Sequence, residues 1–169
     1  MNDAPLPSAW TAAPEWQPLP PRASTVAAIV GSFTAIPFCI GIGVLGTAVL
    51  DGWPARLGAV LAIFVLVGGL GALVGRARAR RTHWLLDDRG LQVRRGLVWK
   101  HELLVPRSRV QHLDIERGPI ERRFGLATLV VHTAGTRLHA LRQPGLRDAD
   151  ALALRDALLP EADRDDDSL

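Results

Sequence analysis

Residues 26–50 read VAAIVGSFTAIPFCIGIGVLGTAVL, 25 consecutive positions without a charged side chain. Residues 51–56 (DGWPAR) interrupt the run, and LGAVLAIFVLVGGLGALV at 57–74 adds 18 more uncharged positions. A bilayer core about 30 Å thick is crossed by about 20 apolar residues of helix. The sequence therefore predicts a transmembrane hairpin over residues 22–75, with spans at about 26–50 and 57–75.

The two predicted spans contain small residues at helix-packing spacing and no ionisable group. Ala27-xxx-Gly31-xxx-Ala35 and Gly71-xxx-Gly75 follow the small-xxx-small pattern that lets membrane helices approach closely. Since proton and ion pathways use charged groups inside spans, their absence argues against a transporter or pump. Gly41–Gly46 spells GxGxxG, but it lies within an apolar run with no strand before it, so a dinucleotide site is excluded. Pro37 is expected to kink the first span.

Arginines immediately after the second span predict the orientation of the hairpin. Positive charge near the ends of spans stays on the cytoplasmic side, and the turn between the spans offers only Asp51 and Arg56. We therefore expect a two-span protein of the cell membrane, with both termini and the soluble domain cytoplasmic and Trp53 at the opposite interface. The topology-determining residues are Arg76, Arg78, Arg80 and Arg81.

The rest of the chain divides by composition. Residues 1–21 are rich in proline and are expected to form a disordered or extended leader. Residues 76–81 form a basic juxtamembrane linker, residues 82–160 one soluble domain, and residues 161–169 an acidic tail. The chain has one cysteine, Cys39 in the first span, so no disulfide framework or thiol-based metal site is expected.

The soluble domain shows the alternation of β-strands followed by one amphipathic helix. Residues 110–116 alternate, with Leu113 and Ile115 on one face. Pro144–Gly145 is expected to end the sheet, and the leucine spacing over 147–159 predicts a helix ended by Pro160. Several short strands and one helix indicate a small antiparallel barrel or sandwich with the helix packed over it.

Several motifs of this domain occur in the order of a known family. Residues 106–112 (PRSRVQH), 117–128 (RGPIERRFGLAT), 133–135 (TAG) and 144–146 (PGL) resemble the bacterial pleckstrin-homology (PH) domains of the YdbS-like membrane proteins. The resemblance covers about residues 81–159, and the paired spans before it are also the family's arrangement. It implies a mainly-β PH-like split barrel with one C-terminal helix on a two-helix transmembrane hairpin. It brings no catalytic residues.

Basic residues are the main candidates for a binding surface. Arg94, Arg95 and Lys100 flank the first hairpin and are expected to face the anionic leaflet, where each basic group contributes about 1 kcal/mol. The remaining candidates for a lipid or partner surface are Arg107, Arg109, Arg122 and Arg123. A structural role for residues 106–128 is the alternative, with Gln111 satisfying buried backbone groups.

The histidines, at 83, 101, 112, 132 and 139, show no HxxxH or HExxH spacing, although His132 and His139 are expected to approach across a hairpin. No metal, cofactor or catalytic site is predicted. With no tyrosine and few aromatics for stacking, nucleic acid is not an expected partner.

The sequence favours a non-enzymatic, membrane-anchored interaction module. Its PH-like domain would bind partner proteins, among them a second membrane protein of the same family, with the arginines holding it on anionic lipid. The alternative is an accessory subunit of a membrane transport or export complex, whose hairpin packs against other spans. An enzyme is the third and least favoured hypothesis.

Overall fold

The computed structural model describes residues 15–49, 52–134 and 140–158. The helices are α1 (Pro21–Ser32), α2 (Ala35–Val49), α3 (Trp53–Ile63), α4 (Gly69–Arg80), α5 (Pro119–Arg123) and α6 (Asp148–Leu158). The strands are β1 (Gln17–Pro18), β2 (His83–Asp87), β3 (Gly90–Arg95), β4 (His101–Pro106), β5 (Val110–Glu116), β6 (Leu126–Thr133) and β7 (Ala140–Arg147). A π-helical turn (Phe64–Gly68) joins α3 to α4.

Two long apolar arms form the hairpin, and each is long enough to cross a membrane: Pro21–Gly46 and Trp53–Arg80. The first arm is interrupted at Phe33–Thr34, between α1 and α2. Pro37 explains the interruption, because its ring clashes with the carbonyl of the residue four positions earlier. The second arm is helical through Arg80, so the predicted linker at 76–81 continues the span as helix for all but its last residue.

The small-residue motifs pack α1 against α4 within the hairpin. A methyl group added at Gly31 would overlap the Gly71 carbonyl oxygen, and one at Gly75 would overlap the Ala27 carbonyl oxygen. The backbones thus approach as closely as the sequence pattern indicates, and the contact is between the two arms of one chain.

The first sheet takes its first strand from before the hairpin. β1 pairs antiparallel with β2, with Gln17 opposite Trp84, and the strand order is β1-β2-β3-β4. The end of the predicted leader is therefore part of the domain, while residues 1–14 lie outside the described residues. The hairpin is an insertion between the first two strands of this sheet.

The second sheet has the order β5-β6-β7, and its last strand corrects one prediction. Pro144–Gly145 does not end the sheet, because β7 continues to Arg147. The register shifts between Ala127 and Leu129, whose partners are Leu146 and Gln143, so Pro144 and Gly145 form a bulge. A bulge on an edge strand tolerates the missing proline N–H, and Gly145 supplies the positive φ of 82°.

The main core lies between the two sheets and α6. Leu154 and Leu158 of α6 are 0% and 2% exposed and pack with Leu91, Leu129 and Val131. This confirms the predicted mainly-β domain with a C-terminal helix packed over it.

A second, smaller cluster joins the domain to the hairpin. Ala23 and Val26 of α1 are buried against Leu126, with Ile120 and Phe124 packed beside them. The hairpin and the domain are thus connected by packed side chains as well as by the chain itself.

Candidate membrane-facing surface

One groove brings together four of the predicted basic residues at the end of the second arm. Arg81, Arg94, Arg95 and Lys100 all line it. The β3–β4 pairing sets this arrangement, since Arg95 lies opposite His101 at the end of the pair that the 96–100 loop closes. The groove therefore combines a residue predicted to determine topology with the three residues predicted to face lipid.

Arg94 is held in place by two partners. Its Nη2 lies 3.0 Å from Glu102 Oε2 across the hairpin. Its guanidinium also lies over the Trp16 ring, 4.1 Å from the ring centroid, a distance typical of cation–π contacts. Because Arg94 is already neutralised by Glu102, it contributes less positive charge to the groove than Arg95 and Lys100.

The loop between β3 and β4, residues 96–100, carries two exposed apolar side chains. Val98 is 87% exposed and Trp99 is 79% exposed. The loop is tied to the hairpin, because Arg81 Nη1 donates a hydrogen bond of 3.0 Å to the Leu97 carbonyl oxygen. The tip at Val98–Trp99 thus lies beside the end of the second arm.

The other predicted surface residues lie elsewhere. Arg107 and Arg109 belong to a 3-10 turn after β4, at the opposite end of the β3–β4 pair, where Gly90 faces Pro106. Arg122 and Arg123 are exposed on α5. The seven predicted residues therefore occupy three separate places, namely the loop end of the β3–β4 pair, the turn after β4, and α5.

A cavity of about 600 Å³ lies where the hairpin meets the domain; we call it the junction cavity. Val26 and Val30 of α1 line its apolar side, and Arg78 of α4 lines it from the second arm. Gln143, 2% exposed, lines it from β7. Gln111, predicted to be the buried amide, is exposed beside the register irregularity of β5, so Gln143 is the amide that is buried.

Three polar residues meet on the outer face of β5 and β6. Asp114 Oδ1 lies 2.9 Å from His112 Nε2, and Asp114 Oδ2 lies 3.3 Å from His132 Nε2. The described residues contain no cluster of three or more ligating side chains arranged to hold a metal ion. The predicted approach of His132 to His139 lies outside the described residues.

Burial shifts one carboxyl group near the start of α6. Desolvation raises the pKa of Asp150, and the nearby Arg147 guanidinium partly opposes the shift. Asp150 Oδ2 lies 3.7 Å from Arg147 Nε. Asp150 lines neither the groove nor the junction cavity.

Sequence reasoning missed the contact of Trp16 with Arg94, the exposed Val98–Trp99 tip and the burial of Gln143. The tip had a signal, since two large apolar residues, Val98 and Trp99, follow Gly96-Leu97 and precede the polar residues 100–102. Trp16 and Gln143 had none, because their positions depend on β1 joining the sheet and on the bulge in β7.

Comparison with known proteins agrees with the resemblance drawn from the motifs. The family model for the bacterial PH domain matches residues 26–162. The UPF0699 transmembrane protein YdbS of Bacillus subtilis (strain 168) is 29% identical over 108 residues, which cover 63% of this chain. The match spans 66% of that relative's own length. No solved structure matches the chain.

Proposed function

We propose that this chain, which belongs to the bacterial PH domain family, is a non-enzymatic membrane-anchored interaction module. Its two transmembrane helices hold the PH-like domain against the cytoplasmic leaflet, and the domain binds a partner protein there. The hydrogen bond from Arg81 to the Leu97 carbonyl carries this proposal, because it ties the β3–β4 loop to the end of the second span.

The chemistry of this loop suits a bilayer surface. Tryptophan is favoured at the headgroup level, and Trp99 is exposed at the tip. Arg95 and Lys100 flank the tip and form no carboxylate pair within the described residues. An apolar tip between basic side chains enters the interface while the cations remain with anionic headgroups.

Lipid quenching tests the position of the loop in the full-length chain. The protein is reconstituted in vesicles whose lipids carry bromine near the headgroup, and Trp99 emission is taken as the difference between wild type and Trp99→Phe. Strong quenching is expected, and it should fall when Arg95 and Lys100 are both changed to Gln.

Arg107→Gln with Arg109→Gln is the matched control, because these arginines lie at the opposite end of β4. Trp99 emission that bromine does not quench would contradict the proposed contact. Equal losses in the two double variants would show a general charge effect.

The pairing of β1 with β2 supports the predicted topology. Gln17 precedes the first span and Trp84 follows the second, so their pairing requires both on one side of the membrane. The arginines after the second span favour the cytoplasm as that side. Reporter fusions at residue 53 and after residue 169 test this, and an external C-terminus would overturn it. Replacing Arg76, Arg78, Arg80 and Arg81 with neutral residues should loosen the orientation.

The edge of the first sheet is the surface we assign to a partner protein. β4 is the last strand in that sheet, and Leu104 on it is 44% exposed. An exposed edge strand pairs readily with a strand of another chain. A photo-crosslinker at Leu104 should capture a membrane partner of the same family in native membranes, whereas one at Asp88, in the β2–β3 turn, should not.

The alternative of an accessory subunit in a transport or export complex has less support. The small-residue motifs that would serve such a complex, at Gly31, Gly71 and Gly75, contact the opposite arm of the same hairpin. They are therefore not free to contact the spans of another subunit.

A further inference from the structure

The junction cavity runs from the predicted membrane span to the domain. Val30 of α1 and Thr34, in the break after α1, line one part of it, and Pro144 and Gly145 of β7 line another. Val30 is 51% exposed, so the apolar part of the cavity opens on the surface that the bilayer covers. A volume of about 600 Å³ is within the range of roughly 300–1,000 Å³ typical of small-molecule sites. The cavity thus has the size and the apolar entrance that an amphiphile requires.

The polar part of the cavity is positively charged. Arg78, Arg95 and Arg142 line it, against the single carboxylate of Glu121. Glu121 is already used, because its oxygens accept hydrogen bonds from the Thr128 hydroxyl and the Gly118 N–H. Arg142 is paired with Glu116. Arg78 and Arg95 have no carboxylate partner among the described residues, so their guanidinium groups are available to bind an anion.

Gln143 adds a buried acceptor to this charge. Its Nε2 donates to the Pro144 carbonyl at 3.0 Å, but its Oε1 has no donor within the described part of the chain. Buried side-chain oxygens are nearly always paired. A ligand hydroxyl in the cavity would supply the donor that Oε1 lacks.

We propose that the junction cavity binds one anionic glycerophospholipid whose headgroup carries a hydroxyl. Arg78 and Arg95 bind the phosphate, for which the guanidinium geometry is well suited. The headgroup hydroxyl donates to Gln143 Oε1, and an acyl chain lies along Val26 and Val30. This site shares Arg95 with the loop contact proposed above. Arg78 lines the junction cavity and not the groove, so its variant tests the cavity separately from the loop contact.

Native mass spectrometry of the full-length chain in detergent tests the site with phosphatidylglycerol as the probe. One bound molecule is expected to survive delipidation, whereas phosphatidylcholine with the same acyl chains should be lost. Arg78→Gln should weaken phosphatidylglycerol binding by about tenfold or more, since a charge-assisted hydrogen bond is lost. Gln143→Leu should weaken it by a smaller factor.

Arg76→Gln is the matched control, because Arg76 is exposed on the same helix and does not line the cavity. Equal binding to the Arg78→Gln and Arg76→Gln proteins would overturn the proposal and identify the retained molecule as a non-specific boundary lipid. Equal retention of phosphatidylcholine would overturn it too. Arg78 is exposed on a helix, so its variant remains informative if Gln143→Leu fails to fold.

Discussion

The two halves of the hairpin differ in how closely their helices approach. Near the domain, α1 and α4 meet so tightly that a methyl group at Gly31 would overlap a backbone oxygen of the opposite arm. In the outer half, a methyl group at Gly43 would lie 3.9 Å from Val60 Cγ2, an ordinary contact, and one at Gly41 or Gly58 would meet no atom within 4 Å. Apolar surface gives little driving force between helices in lipid, so close packing determines where they associate. We therefore expect the inner half (α1 and α4) to be stabilised by packing together with the domain. We expect the outer half (α2 and α3) to be stabilised mainly by the bilayer.

The largest effect is expected from a charge in the domain core. Leu154→Asp places a carboxylate where the side chain is 0% exposed, and it should lower the free energy of unfolding by about 4 kcal/mol or more. If the inner half belongs to the domain unit, α1 should also separate from α4. Chemical unfolding in detergent, followed by tryptophan fluorescence, measures the first effect.

The single cysteine reports on the outer half in the same experiment. Cys39 lies in α2, so its thiol labelling rate should stay unchanged in Leu154→Asp if the outer half is independent. Ala149→Asp, on the exposed face of α6, is the matched control and should leave stability nearly unchanged. A Cys39 labelling rate that rises together with domain unfolding would show that the two halves unfold as one unit.

Gly31→Leu and Gly41→Leu compare the halves directly. The first forces α1 away from α4, because the overlap is with backbone and no rotamer relieves it; about 3 kcal/mol is expected. The second adds a side chain facing open space and should change stability by about 0.5 kcal/mol at most. Similar losses from both, measured by unfolding in detergent, would show that packing is uniform along the hairpin.

A smaller effect is expected where β7 meets α1. A methyl group at Gly145 would lie 3.0 Å from Ala23 Cβ, and φ there is 82°. Gly125 also has a positive φ, 64°, but open space around it. Gly145→Ala should therefore cost about 1 kcal/mol more than Gly125→Ala. Adding Ala23→Gly to Gly145→Ala should recover that difference, and a double-mutant cycle measures it; no recovery would place the cost elsewhere.

The smallest effect concerns pH. Burial raises the pKa of Asp150 in the folded chain above its ordinary value of 3.8. The folded state then holds the proton more tightly than the unfolded state, so Asp150 reduces stability as the pH rises through the raised pKa. Asp150→Asn should become more stable relative to wild type as the pH rises above about 3.8, and the difference should level off above the raised pKa.

Unfolding in detergent, followed by tryptophan fluorescence at each pH, measures this difference. The trend should appear in the domain signal and be absent from Cys39 labelling. A difference that falls with rising pH would contradict the assigned burial.

The sequence predicted those parts of the structure that depend on local pattern. Absence of charge identified both arms, the leucine spacing identified α6, and the order of short motifs identified the PH-like domain. Gln17–Pro18 has no strand pattern of its own, and it becomes a strand only because the hairpin returns the chain to it. The bulge at Pro144–Gly145 and the buried Gln143 likewise depend on pairing with β6, which no local pattern encodes.

The insertion of the hairpin between β1 and β2 also has a consequence for biosynthesis. β1 leaves the ribosome before either span, while β2 emerges only after both. β1 and β2 can therefore pair only after the second span has inserted and returned the chain to the side of the membrane on which β1 lies. A nascent protein with one span misplaced keeps β2 as an open edge, which promotes aggregation. Pairing of β1 with β2 therefore depends on correct insertion of both spans.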